Sequence, residues 1–358
     1  MRRKQIKTKI KGERVDRTTF DTHFSDFIYG LFITSQWIDS MASDGQAIYI
    51  DFVDGDRVVG KIAGLVLNGG FFSGQFLSFY TGPALIEKDQ KLFHDCIKAL
   101  KQFAIENRFS RIVIAYHDQQ FPWIINELGF YKEGWHDYIR YFNNDSEEPK
   151  FDKSVVGKVK KAIRAGVTFH SETSERILNR FFELLEETQR IRYDVYGDEY
   201  MPFPYFQMNK QTLRKLFDTG ILKFYHASVG DTIHCVRCSL HQDKKMVGLM
   251  IASDEFTYKN GVQQFVQVGV IRELHREGYH YFNIGGAAMG EKGKGLSKYK
   301  ESLGFERVPV YGAYTHFLTF PQNLINSVMW FGRKMSRYEQ FGKIANTISK
   351  VLVKARPF

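Results

Sequence analysis

Residues 222–252 read LKFYHASVGDTIHCVRCSLHQDKKMVGLMIA. LKFYHAS (222–228), TIHCVRCSL (232–240) and KMVGLMIA (245–252) are strand-like runs, and Gly230-Asp231 is the turn between the first two. A helix is predicted next, from about Val262 to Arg276, with Phe265, Val266, Val270, Ile271 and Leu274 at helical spacing. HYFNIGG (280–286) is another strand, and a short helix then ends at Leu303-Gly304-Phe305. The same order occurs earlier in the chain. AIYIDFV (47–53), the turn Asp54-Gly55-Asp56 and Val58–Leu67 form a hairpin, and GQFLSFYTGP (74–83) is a strand. A helix over Gln90–Asn107 carries Leu92, Phe93, Ile97, Leu100 and Phe103 on one side; RIVIAYH (111–117) follows, then a short helix leading to Leu128-Gly129-Phe130 and a last strand. Asp56 and Asp231 lie 175 residues apart, and so do the two Leu-Gly-Phe triplets. Matched order at constant offset means two copies of one α/β module, with a helical connection expected around 150–220.

The 358 residues suffice for two domains, and 43% hydrophobic residues supply their cores. No apolar run reaches the roughly 18 residues that span a bilayer, and the basic N-terminus is followed by no apolar signal core. Three cysteines, Cys96, Cys235 and Cys238, make no disulfide framework, so a cytoplasmic setting is expected. The net charge of +10 is concentrated at the ends. Residues 1–17 hold eight Lys/Arg against two acids, and residues 333–358 hold seven against one; each end is +6 and the stretch between is −2. Such ends attract anionic surfaces, and the C-terminal one mixes aromatic, aliphatic and cationic residues as an amphipathic membrane-face helix would.

Two motifs read as false leads. Gly293-Lys294 supplies the G-K of a phosphate-binding P-loop, but position 288 is Ala and position 295 is Gly where Gly and Ser/Thr are required. His234, Cys235, Cys238 and His241 have metal-like types, but strand positions three apart face opposite ways, so no metal is expected. The basic cluster Lys153, Lys158, Lys160, Lys161 and Arg164 reads as a solvated helix face, with phosphate contact as the alternative.

The order of antiparallel strands followed by strand–helix–strand–helix–strand resembles the GNAT N-acetyltransferase fold. Two such modules in tandem resemble the FemABX aminoacyltransferases and the related CelD-like acyltransferases. Three stretches carry the resemblance. TSQWIDSM (34–41) is similar to the family's opening helix. VVGKVKKAIRAGVTF (155–169) is similar to the basic segment that opens the second module. KGKGLSKYKESLGF (292–305) is similar to its glycine-containing loop and aromatic-Lys pair. The expected architecture is α/β, two GNAT-like modules with mixed, splayed sheets: a basic tail over 1–19, modules over 20–150 and 151–320, and a basic amphipathic tail over 321–358.

The resemblance implies a site. Tyr299-Lys300 matches the family's aromatic-Lys pair at the acyl-transfer centre, with Tyr where Phe is commoner. A cation at the carbonyl oxygen would stabilise the charge that builds there when an amine attacks. Lys298 lies on the same helix, and Gly286 belongs to the glycines that turn the chain out of the preceding strand. In EETQRIRYDVYG (186–197), Arg192 and Tyr196 sit i, i+4 on one helix face and match an Arg-x-x-x-Tyr pair that holds phosphates of a nucleotide-linked precursor; Arg190 competes if the register shifts. The implied function is aminoacyl transfer from aminoacyl-tRNA to a cell-wall (peptidoglycan) peptide amine. A CelD-like, acyl-CoA-dependent transfer to a sugar or lipid precursor and a non-catalytic scaffold are the alternatives. Neither TGPALIEKDQK (81–91) nor DEFTYKNGVQQ (254–264) fits the loop that cradles coenzyme A pyrophosphate, which favours aminoacyl-tRNA. No tightly bound cofactor is expected. The partners expected are a nucleotide- or lipid-linked envelope precursor, tRNA, and an anionic membrane met through the basic tails at the inner face.

Overall fold

A computed structural model of the chain describes residues 9–42, 45–142, 147–196, 202–287, 291–324 and 326–327. They fall into two compact units, one built from the chain up to Trp135 and again from Val310 onward, the other from His136–Pro309. In the first unit the elements are β1 (Lys11–Val15), α1 (Arg17–Asp21), α2 (Ser35–Met41), β2 (Gln46–Asp54), β3 (Arg57–Asn68), α3 (Gly70–Ser73), β4 (Gln75–Phe79), β5 (Ala84–Leu85), α4 (Gln90–Glu106) and β6 (Ile112–Ile114). Strand β7 (Phe130–Tyr141) carries the chain into the second unit. That unit holds α5 (Lys153–Arg164), β8 (Thr168–Ser171), α6 (Glu175–Tyr196), α7 (Lys210–Asp218), β9 (Leu222–Val229), β10 (Thr232–Gln242), β11 (Lys245–Ser253), α8 (Glu255–Asn260), α9 (Val262–Arg276), β12 (Tyr281–Asn283) and α10 (Glu291–Ser302). Strand β13 (Glu306–Thr315) returns the chain to the first unit.

The turn chemistry explains the repeat. Gly55 (φ 63°) closes the β2–β3 hairpin and Gly230 (φ 55°) closes β9–β10, a conformation that a side chain disfavours. In each Leu-Gly-Phe triplet the glycine is again left-handed, Gly129 at 92° and Gly304 at 78°. After α10, Gly304 N–H reaches Glu301 O and Phe305 N–H reaches Lys300 O, the paired bonds of a glycine helix stop. Each sheet is then antiparallel through its first strands and parallel at one pair: β4 beside β6 in the first unit, β11 beside β12 in the second. Trp37 on α2 is fully buried, edge-on to Phe32. In the second unit, Val266, Val270, Ile271 and Leu274 of α9 pack with Tyr225, Cys235 and Phe282 of the sheet. Each such fully buried aromatic or aliphatic side chain contributes roughly 1.5–3 kcal/mol.

Five expectations need correction. The short helix read before Leu128-Gly129-Phe130 is not formed, and only turns and irregular backbone lead from β6 to β7. The segment read as a tail over 1–19 contains an edge strand, because Lys11–Val15 pairs antiparallel with Val53–Tyr49 of β2. The helical connection around 150–220 contains the strand β8, paired with β9, so it belongs to the second unit's sheet. Gly293 and Gly295 lie inside the helix α10, not in a loop. The compact units also differ from the repeats, 20–150 and 151–320. Strand β6 of the first unit takes Ala313 and Tyr314 of β13 as antiparallel partners. Strand β12 of the second takes Arg140 and Tyr141 of β7. Each repeat's last strand thus completes the other unit's sheet. The amphipathic C-terminal tail lies almost wholly outside the described residues. No helix among the described residues is long and apolar enough to cross a membrane.

Candidate functional site

The two units differ where their parallel strands meet. In the first, β4 and β6 stay joined past their paired residues: Ala115 N–H bonds Phe79 O at 2.8 Å and His117 N–H bonds Tyr80 O at 3.1 Å. In the second, β11 and β12 share three residue pairs, ending at Val247 and Asn283. Beyond that point, among the described residues, the chain after β12 bonds to β7, with Ile284 N–H on Tyr138 O and Tyr138 N–H on Gly285 O. β11 meanwhile bulges at Leu249, where its register with β10 shifts.

Lys300 occupies the β12 side of this parting. It is 6% exposed, and its Nζ donates to the carbonyls of Ile284 (2.8 Å), Gly285 (2.8 Å) and Gly286 (2.6 Å). Three acceptors match the three protons of an ammonium. Burial pulls the Lys300 pKa down to about 7, Asp137 acts against that shift, and Arg237 adds to it. Asp137 accepts from Asn283 Nδ2 at 2.9 Å, and Asn283 Oδ1 accepts from Gly285 N–H at 2.8 Å. The strand end is therefore fixed from both sides. Gly285, at φ 67°, makes the bend that aims three successive carbonyls at one cation.

Of the predicted site residues, Lys300 and Gly286 are brought into direct contact. Tyr299 is half-buried against the second unit's core, and burial raises its phenol pKa to about 12 while Arg237 opposes the rise. Lys298 is exposed on α10. The oxyanion role expected for Lys300 meets a geometric fact: its donors are committed to backbone carbonyls, so in this arrangement it shapes the strand end. Arg192 is half-buried on α6, one turn beyond Thr188, and Arg190 is exposed. Thr188 Oγ1 clamps the end of β11 by exchanging bonds with Ser253 O (2.8 Å) and Ser253 N–H (2.7 Å). Tyr196 ends α6, and its side chain lies outside the described residues. Among the described residues no group of His, Cys, Asp and Glu is arranged to hold a metal; His234 bonds Asp254 at 2.6 Å instead. The basic residues of α5 face solvent.

The sequence reading missed Arg237, Asp137 and Asn283. Arg237 had a signal: a charge inside the apolar run TIHCVRCSL is costly to bury and so calls for a reason. At the repeat's 175-residue offset, Arg237 and Lys300 correspond to Ile62 and Ile125, both buried. The unit whose parallel strands stay joined is the one with neither charge.

Comparison with known proteins gives the class. The family described as acetyltransferase (GNAT) domain matches residues 149–301, within which lie β11, β12 and Lys300. No curated protein matches the sequence. Among solved structures, FemX is similar at a TM-score of 0.67 and 12% identity, over 89% of this chain and 99% of that one. L-PGS from Bacillus licheniformis is similar at 0.57 and 14%, over 90% and 97%. The C-terminal domain of a putative lysylphosphatidylglycerol synthetase from Agrobacterium fabrum is similar at 0.51 and 13%, over 83% and 92%. Residues 149–301 thus match a GNAT acetyltransferase domain. More particularly, the chain has the fold seen in FemX.

Proposed function

We propose that the protein is a FemABX-type N-acyltransferase that moves an aminoacyl group from aminoacyl-tRNA to an amine of a nucleotide- or lipid-linked cell-wall peptide precursor. The observation that carries this reading is the asymmetry of the units: the parallel strands part only beside Lys300. An acyl group laid in that parting would meet the strand end that Lys300, Asn283 and Asp137 hold rigid, and preorganised polar groups of this kind lower acyl-transfer barriers. The acceptor nitrogen forms a bond to the acyl carbon, the ester C–O bond breaks, and the ribose oxygen leaves with the proton the amine gives up. Arg192 and Tyr196 are assigned to the precursor's phosphates.

Two capped helix starts disfavour coenzyme A. A pyrophosphate needs unoccupied N–H groups at a helix start. The Asp89 carboxylate already caps α4, accepting from Lys91 and Leu92 N–H. Asp254 caps α8, with Glu255 in its first turn. Those two starts repel a second anion, whereas α9 starts at Gly261 with no side-chain cap.

The test is a transfer assay with full-length protein, tRNA charged with a labelled amino acid, and a muramyl-peptide precursor. Label should move to the precursor. Label retained on tRNA, with transfer from acyl-CoA instead, would replace this reading by the acyl-CoA-dependent one. Label moving to phospholipid but not to peptide would make the acceptor a lipid. No transfer from either donor would leave a scaffold.

A further inference from the structure

Arg237 lies in the middle of β10 and is 7% exposed. Its guanidinium sits 5.2 Å from the centre of the Phe282 ring. It also lies against Gly248, where an added Cβ would come within 2.0 Å of Nη2. Gly248 is the residue of β11 immediately past the last β11–β12 pair, so Arg237 stands on the β11 side of the parting. Among the described residues no carboxylate pairs with it, and its Nε is buried without an acceptor. Tyr225, its register partner on β9, has a buried hydroxyl with no partner, and so has Ser239, two residues along the same face of β10. Gln267 of α9, which packs on this face, is 1% exposed with both amide atoms unpartnered.

A buried guanidinium without a counter-charge opposes folding, and the three neutral groups beside it are short of partners too. The charge cannot be offset by Lys300, itself a cation. One unspent positive charge among neutral donors suits a monoanion. A guanidinium lying between a ring and a glycine presents a planar fork, which matches the two oxygens of a carboxylate. We propose that Arg237 is the receptor for a carboxylate of the acceptor substrate, with Tyr225, Ser239 and Gln267 as its neutral partners. This deepens the function proposed above and rests on the acceptor being a peptide.

The test uses full-length protein, no acyl donor, and three probes: N-acetyl-alanyl-alanine, its C-terminal amide, and inorganic phosphate. None carries an amine that could be acylated. In calorimetric titration the free acid should bind saturably, with the amide and phosphate each at least about 30-fold weaker. Arg237→Met should weaken the acid about 100-fold, the loss expected when one partner of a buried charge pair is removed. It should also unfold at an equal or higher temperature, because it removes an unpaired buried charge. If Arg237→Met fails to fold, Arg237→Lys keeps the charge without the fork and should still weaken the acid at least tenfold. Equal binding of acid and amide, tighter binding of phosphate, full acid binding by the folded variant, or no binding of any probe would each overturn the assignment. The two proposals fail separately. Acid binding without transfer overturns the enzyme reading alone, and transfer without acid selectivity overturns the role of Arg237 alone.

Discussion

Lys300 joins three backbone carbonyls that no other side chain among the described residues satisfies. Lys300→Met keeps the length of the stem and removes the charge. Leaving Ile284 O and Gly286 O without that donor, while Gly285 O keeps Tyr138 N–H, should cost roughly 1–3 kcal/mol of stability, measurable by denaturant unfolding. If the strand end positions the acyl group, transfer should fall by about 100-fold or more in protein that is still folded. The same residue sets a pH signature. Its folded pKa of about 7 lies below the ordinary lysine value of 10.5. Between those values the unfolded chain binds the extra proton, so stability should rise with pH through that window and be flat with respect to this group below about 7. Thermal midpoints from pH 7 to 10 should climb in the wild type relative to Lys300→Met; parallel curves would exclude the depressed pKa.

Among elements, the glycines that mark the repeat are unequal in their surroundings. At Gly304 an added Cβ would strike Arg140 Nη1 at 2.1 Å, where that guanidinium bonds Leu303 O. At Gly129 the nearest atom is the end of the flexible Lys101 side chain, at 3.4 Å. Gly304→Ala should therefore cost about 2–3 kcal/mol, and Gly129→Ala about 1 kcal/mol from the positive φ alone. Thermal unfolding of the two variants should show that order. These turns were legible because glycine chemistry is local. The edge strand β1 was not: KGERV has exposed or half-exposed positions throughout and no alternation, so its conformation comes from pairing with β2. The first turns of helix α10, read as part of a loop, were missed for a related reason. Gly293 and Gly295 each disfavour a helix by about 1 kcal/mol, and the helix is held by tertiary bonds, those of Lys300 and the buried Leu303 stop, that no local pattern announces. In the site, Tyr299-Lys300 was legible from a motif. Arg237, Asp137 and Asn283 converge from β10, β7 and β12, and only the folded sheet brings them together.

For the molecule as a whole, the repeat in the sequence and the unit in space are different objects. A fragment of residues 1–150 contains one full repeat, yet it lacks β13, whose Ala313 and Tyr314 pair with Val113 and Ile114 of β6. It also loses Thr315, whose hydroxyl accepts from Ile112 N–H at 2.9 Å, and the backbone bond from Leu318 N–H to Ser110 O at 2.6 Å. Ile112 and Ile114 are almost fully buried in the intact chain. Without β13 their strand becomes an apolar sheet edge, the kind that pairs with other chains. The fragment should therefore aggregate or exchange its β6 amides rapidly. Adding residues 310–327 as a separate peptide should restore protection to Ile112–Ile114 in proportion to the peptide bound. Hydrogen exchange read at β6 decides the matter. Full protection in the fragment alone would mean that the first repeat closes its own sheet. Protection that depends on the peptide would mean that the first repeat is not a complete folding unit and that its sheet closes only with the strand donated from the second.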